Sequence, residues 1–153
     1  MTTIAYRDGI LACDTRCNWN DLITSESKYL ILEKSVFGIS GCVPNAILFT
    51  DWVYNGMNSE RLPKIDHDNG FHAIEINRET LNIYHWYAPE IVRCPINTEY
   101  DSIGTGGSVA IGAMAMGASA LKAVQIASKH DIHTGGPFDV IEVKSGIVTI
   151  SEV

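Results

Sequence analysis

The stretch Thr2-Thr3-Ile4-Ala5-Tyr6-Arg7-Asp8-Gly9-Ile10-Leu11-Ala12-Cys13-Asp14 decides the fold. Two apolar runs flank Asp8-Gly9, a dipeptide that tolerates positive φ and closes a two-residue hairpin. An antiparallel strand pair is expected over residues 2–7 and 9–14. The head of the stretch carries a second message. Thr2 stands directly behind Met1, and a methionine before a small residue is normally trimmed. Trimming would leave Thr2 with a hydroxyl and a free α-amine on one residue, the arrangement of an N-terminal threonine nucleophile. Met-Thr alone is a common beginning, so the weight falls on residues further along the chain.

Downstream, Lys28–Leu32 and Val36–Ser40 read as a second hairpin around Glu33-Lys34-Ser35. Pro44 suits the first turn of a helix whose spacing runs over 46–58, with Ile47, Leu48, Trp52 and Val53 as its apolar stripe. Residues 58–70 are polar and read as a surface loop. Residues 71–76 alternate, and 81–87 resume after Arg78-Glu79-Thr80, giving a third hairpin. The run 94–103 leads into Gly104-Thr105-Gly106-Gly107 and one long small-residue helix to about Lys129. A hairpin over 138–143 and 146–153 closes the chain. Strand pairs bracketing helices, without βαβ alternation, predict an α+β fold of layered antiparallel sheets in one domain, 1–153.

Bulk properties narrow the function. Nearly half of the 153 residues are apolar and 19% are charged, which argues for a folded domain. A net charge of −7 opposes a nucleic-acid surface, which needs clustered Lys and Arg. No basic-apolar-small leader precedes Thr2, so no signal peptide is read. Residues 108–127 approach membrane-spanning length, yet Lys122, Gln125 and the many Ala and Gly residues favour a buried helix. Cys13, Cys17, Cys42 and Cys94 form no Cys-x-x-Cys pair. Reduced cytoplasmic thiols are the plain reading, although spacing leaves a disulfide open. Cys13 and Cys42 both fall in strand-like runs. The glycines at 104, 106 and 107 lack the lysine and the spacing of nucleotide loops. His130 and His133 have metal-ligand spacing without a third ligand nearby, so no metal or other cofactor is expected. His67 and His72 are read as loop residues, and the Met114 and Met116 pair as core filling.

Six blocks then line up in order: Thr2-Thr3-Ile4, Cys13-Asp14, Ser27-Lys28-Tyr29-Leu30-Ile31-Leu32, Gly38-Ile39-Ser40-Gly41, Ile103-Gly104-Thr105-Gly106-Gly107 and Asp131-Ile132-His133-Thr134-Gly135-Gly136. With them the chain resembles the proteasome β-subunit family of N-terminal nucleophile hydrolases, nearest the HslV type and its phage-encoded relatives. The resemblance implies a four-layer αββα sandwich. Thr2 would be the nucleophile of a threonine-type endopeptidase acting through an acyl-enzyme. Lys28 would ease deprotonation of its hydroxyl, and Asp14 would hold Lys28. The Gly41 N–H would serve the oxyanion. Thr105, Asp131 and Thr134 would orient the α-amine and relay protons, while Ile39 and Ser40 would contact substrate. Family behaviour further implies peptide or unfolded-polypeptide substrates, a homo-oligomeric ring and an ATP-driven unfoldase partner.

Three positions depart from the pattern. The 58–70 loop replaces the second helix of the first helical pair, Asn45 stands where Asp is common, and His130 where Arg is common. Two rival readings are a catalytically silent assembly or scaffold protein and an amidase acting on small amides.

Overall fold

In the computed structural model, residues 2–66, 68 and 70–153 are described. Met1, with its expected removal, and His67, read as a loop residue, lie outside them.

Two five-stranded antiparallel sheets carry the fold. The first contains β1 (Thr3–Arg7), β2 (Ile10–Asp14), β10 (Tyr100–Gly104), β11 (Phe138–Glu142) and β12 (Ile147–Ser151), in the order β10-β1-β2-β11-β12. The second runs β5 (Tyr29–Ile31), β6 (Ser35–Gly41), β7 (Phe71–Asn77), β8 (Ile83–Tyr87) and β9 (Val92–Ile96), in sequence order. β3 (Arg16–Trp19) and β4 (Leu22–Ser25) form a separate hairpin. The β1–β2 turn has Asp8 at φ 51° and Gly9 at φ 79°, the positive pair that a two-residue hairpin requires.

Alternation along β1 and β2 explains the packing. Ile4, Tyr6, Leu11 and Cys13 belong to a cluster that also contains Val36, Ile74, Ile76 and Ile83 of the second sheet. The intervening Ala5 and Ala12 point the other way, onto α2 (Gly107–Ala115) and α3 (Ala120–Ala127). Those helices present Ala110, Ala120, Ala123 and Ala127, and small side chains on both surfaces allow close approach. On the far face of the second sheet, Phe37, Ile39 and Trp86 pack against Phe49, Trp52 and Val53 of α1 (Val43–Tyr54). Sheet-to-sheet spacing is tight at Gly38, where a Cβ would lie 2.7 Å from Ile4 Cγ2.

Several expectations need correction. α1 begins at Val43 and ends at Tyr54, and its buried residues are Asn45, Phe49, Trp52 and Val53. Ile47 (54% exposed) and Leu48 (43%) face outward, because the buried stripe runs through Asn45, Phe49, Trp52 and Val53 at i, i+4, i+7 and i+8. The long helix is two helices: Gly117 turns the chain at φ 97° and Ser119 caps α3 through a hydrogen bond from Lys122 N–H. None of the described helices is long and apolar enough to cross a membrane. The same break buries Met114 (1%) but leaves Met116 89% exposed, so only Met114 fills core. Cys42 caps α1 instead of lying in a strand. All four cysteines are free. β3 and β4 were not anticipated, the run 94–103 divides into β9 and β10, and His72 belongs to β7. Within 58–70 the described residues form one 3-10 turn, Ser59–Arg61, and otherwise irregular chain.

Candidate active site

Asp14 organises the site. Its side chain is fully buried at the end of β2, and Oδ1 accepts from Thr3 N–H at 2.9 Å and from Lys28 Nζ at 2.9 Å. Oδ2 accepts from Gly135 N–H at 3.1 Å. Burial raises the Asp14 carboxyl pKa, and Lys28 and the two N–H donors oppose that rise. One carboxylate therefore ties together the first strand, the β5 approach and the loop after α3. Lys28 Nζ also donates to the Arg16 carbonyl at 2.7 Å, and the Lys28 carbonyl accepts from Ile39 N–H at 2.8 Å. Those bonds fix the lysine at both its head and its backbone.

Asp131 gathers the second group. Thr105 Oγ1 and Thr134 Oγ1 donate to its Oδ2 at 2.5 and 2.6 Å, and His133 N–H donates to Oδ1 at 3.1 Å. Burial raises the Asp131 pKa, but these donors outweigh it and hold the carboxyl below the usual range. Thr134 spends its proton on Asp131, so its oxygen accepts from Thr3 Oγ1 at 2.6 Å. It thus reaches Thr3, not Thr2. Thr105 Oγ1 lies 3.5 Å from the Thr2 carbonyl.

Thr2 is only 2% exposed yet borders a cavity of about 400 Å³. Lys28, Ile39 and Gly41 border the same cavity, and Leu30 and Ala46 supply apolar wall. A larger cavity of about 680 Å³ adjoins it and includes Ser40, Thr105, His72 and His133. Gly41, Val43, Cys17 and Trp19 border both, so the two form one cleft divided at Gly41.

Close approach explains two glycines that sequence spacing left ambiguous. A Cβ on Gly104 would lie 1.9 Å from the Thr2 carbonyl oxygen, and one on Gly106 would lie 2.1 Å from Thr3 Oγ1. Gly104 also sits at φ 96°, a conformation that favours glycine. The glycines let β10 and α2 close on the N-terminal strand.

Other contributors were missed in the sequence. Cys17 and Trp19 line the cleft and Arg16 offers its carbonyl to Lys28, all from the β3–β4 hairpin, whose two runs around Asn20-Asp21 are a legible turn signal. Asn45 pins the irregular segment: its Nδ2 donates to the Asp66 and Gly70 carbonyls at 3.0 and 3.2 Å, and its Oδ1 accepts from Asp66 N–H at 3.1 Å. Among the described residues, no group of three or more His, Cys, Asp or Glu is arranged to hold a metal ion.

No protein-family model matches the chain, and no curated protein does. Solved structures do. BPH from Thiobacillus denitrificans in complex with epoxomicin aligns with a TM-score of 0.66 at 17% identity, over 98% of each chain. HslV from Trypanosoma brucei aligns with a TM-score of 0.66 at 18% identity, over 91% of this chain and 96% of that one. Anbu from Hyphomicrobium sp. strain MC1 gives 0.74 at 12% identity, over 99% and 87%. Likeness over nearly the whole chain at such low identity is a likeness of backbone, and this chain has the HslV-type fold.

Proposed function

We propose that this chain is a threonine-type peptidase of the proteasome-like N-terminal nucleophile class, a single domain with the four-layer αββα architecture. The observation that carries the reading is the shared cavity of Thr2, Lys28 and Gly41, with Asp14 bonded to both Lys28 and the Thr3 N–H. After removal of Met1, Thr2 Oγ attacks the peptide carbonyl and its proton passes to the α-amine. The Lys28 ammonium favours the alkoxide as it develops. The carbonyl oxygen becomes an oxyanion, stabilised by the Gly41 N–H. The tetrahedral intermediate collapses as the amine gives its proton to the departing nitrogen, leaving an ester on Thr2. Water, deprotonated by the same amine, then hydrolyses that ester. Thr105 and Asp131 orient the amine, and Thr134 steadies the strand through Thr3. The mechanism calls for no cofactor.

The three apolar clusters support the layered architecture, with one between the sheets and one beneath each helical layer. Ile39, Leu30 and Ala46 favour an apolar residue before the cut, with Ser40, on the larger cavity, contacting substrate backbone. By analogy with the fold, the protein works in the cytoplasm as a homo-oligomeric ring, without the second helix of its first pair. Exposed Leu22 and Ile23 supply apolar surface for subunit contact, and an ATP-driven unfoldase would deliver unfolded polypeptide.

Intact-mass spectrometry after incubation with epoxomicin tests the chemistry, because the epoxyketone reacts with both the hydroxyl and the amine of an N-terminal threonine. The expected species lacks Met1 and carries one adduct that disappears in Thr2→Ala. A chain that keeps Met1 and remains unmodified would overturn the peptidase reading in favour of a silent scaffold.

A further inference from the structure

Gly41, whose N–H is assigned to the oxyanion, is backed by a segment distant in sequence. It ends β6 opposite Phe71, the first residue of β7, and its φ of 134° lies in the range that favours glycine. Backbone presses on it there. A Cβ on Gly41 would lie 2.5 Å from the Gly70 carbonyl oxygen and 3.0 Å from Phe71 Cα. The Gly70 carbonyl is thus a wall directly behind Gly41, and both residues border the larger cavity.

One side chain fixes that carbonyl. Asn45 Nδ2 donates to the Gly70 carbonyl at 3.2 Å and to the Asp66 carbonyl at 3.0 Å, and its Oδ1 accepts from Asp66 N–H at 3.1 Å. All three partners are backbone groups of fixed sense, so they leave only one orientation for the amide. Asn45 is 2% exposed and lies in the first turn of α1, where Ala46 N–H donates to the Cys42 carbonyl at 3.1 Å. The chain that follows Gly41 and the chain that lies behind it are therefore tied together by a single buried amide.

An oxyanion donor is effective when it is aimed before the charge develops. Glycine is poorly suited to hold its own peptide plane, because no Cβ restricts its backbone. A fixed neighbour has to supply that restriction. We propose that Asn45 is a positioning residue for the oxyanion, clamping the Gly70 carbonyl against Gly41 so that the Gly41 N–H stays aimed at the Thr2 cavity. Asn45 borders neither cavity, so it acts through Gly70 and Gly41 and not on the substrate. This role rests on the peptidase reading of Thr2 and Gly41.

Asn45→Asp keeps the shape of the side chain but replaces the donor with an acceptor, removing both bonds to the carbonyls. Hydrolysis of a fluorogenic peptide with leucine before the cut is expected to lose about 10–100-fold in kcat, with KM changed by less than about twofold. A peptide aldehyde of the same sequence forms an adduct on Thr2 that carries the oxyanion, and its affinity should fall by a similar factor. The corresponding peptide alcohol forms no adduct and should bind the variant as tightly as the unsubstituted protein. Asn45→Ala serves if the Asp variant fails to fold. Unchanged kcat and aldehyde affinity in a folded variant overturn the role of Asn45. Equal weakening of aldehyde and alcohol also overturns it, as does failure of both variants to fold, since each marks a residue that only supports the cleft. An unsubstituted protein that neither cleaves the peptide nor forms the aldehyde adduct would instead overturn the peptidase reading itself.

Discussion

Lys28 Nζ lies 2.9 Å from Asp14 Oδ1, in a pair whose side chains are 7% and 0% exposed. Removing the lysine would leave a buried carboxylate held only by two backbone N–H groups. Lys28→Ala is therefore expected to cost about 3–5 kcal/mol of stability, read as a fall in the urea midpoint at unchanged slope. A loss below about 1 kcal/mol would mean that the pair is solvated and that Asp14 does not depend on Lys28.

Gly104→Ala and Gly112→Ala should move stability in opposite directions. At Gly104 the added methyl would meet the Thr2 carbonyl in a left-handed backbone, and a loss of about 3 kcal/mol or more is expected. At Gly112, inside α2, no atom lies within 4 Å of the new Cβ. There alanine should stabilise by about 0.5–1 kcal/mol through helix propensity. Thermal melts of the two variants decide the matter, and equal shifts would refute the close approach at residue 104.

Acid should destabilise the protein through His72. The unfolded residue takes up a proton as pH falls through its ordinary value of 6.5, whereas burial, then the neighbouring His85, makes the folded one wait until about 4. Stability present above about pH 6.5 is thus lost progressively down to about pH 4, by at most about 3 kcal/mol. Asp14 and Asp131 titrate differently in the same acid range, so the informative quantity is the stability difference between the unsubstituted protein and His72→Phe. That difference should change across the window; a flat difference would show that His72 titrates normally.

A second buried carboxylate supports the outer face of the second sheet. Glu75 accepts from Ser35 Oγ at 2.7 Å, Trp86 Nε1 at 2.8 Å, and Arg93 Nε and Nη2 at 2.8 and 3.0 Å. Arg93→Ala should cost about 2–3 kcal/mol, because the charge remains while its counterion is gone. Glu75→Gln in the same molecule should recover part of that loss, which a double-mutant cycle by chemical denaturation would measure. Purely additive effects would exclude coupling between the two residues.

Local sequence determined the elements whose cause is local. Asp8-Gly9 announced the first hairpin because few other pairs accept its two positive φ values, and alternation at 71–76 marked a strand with two different faces. The residues around Thr2 were legible as an ordered set of blocks. Small residues between 108 and 127 signalled close packing but not the break at Gly117, since glycine is tolerated within helices as well as after them. The stripe of α1 was misread because Leu48 and Phe49 both have helical spacing to Trp52, and only packing against the second sheet selects the face that carries Phe49.

Tertiary structure alone decided how the distant residues meet. Asp14, Lys28 and Gly135 are far apart in the chain, and only strand pairing with loop closure brings them to one carboxylate. The same holds for Asp101, His85 and His72, which belong to different strands and join only because two sheets stack. Hydrophobic periodicity specifies which face of a strand is buried. The chemistry that accumulates at the sheet ends depends on register and layer contact, which no local stretch encodes.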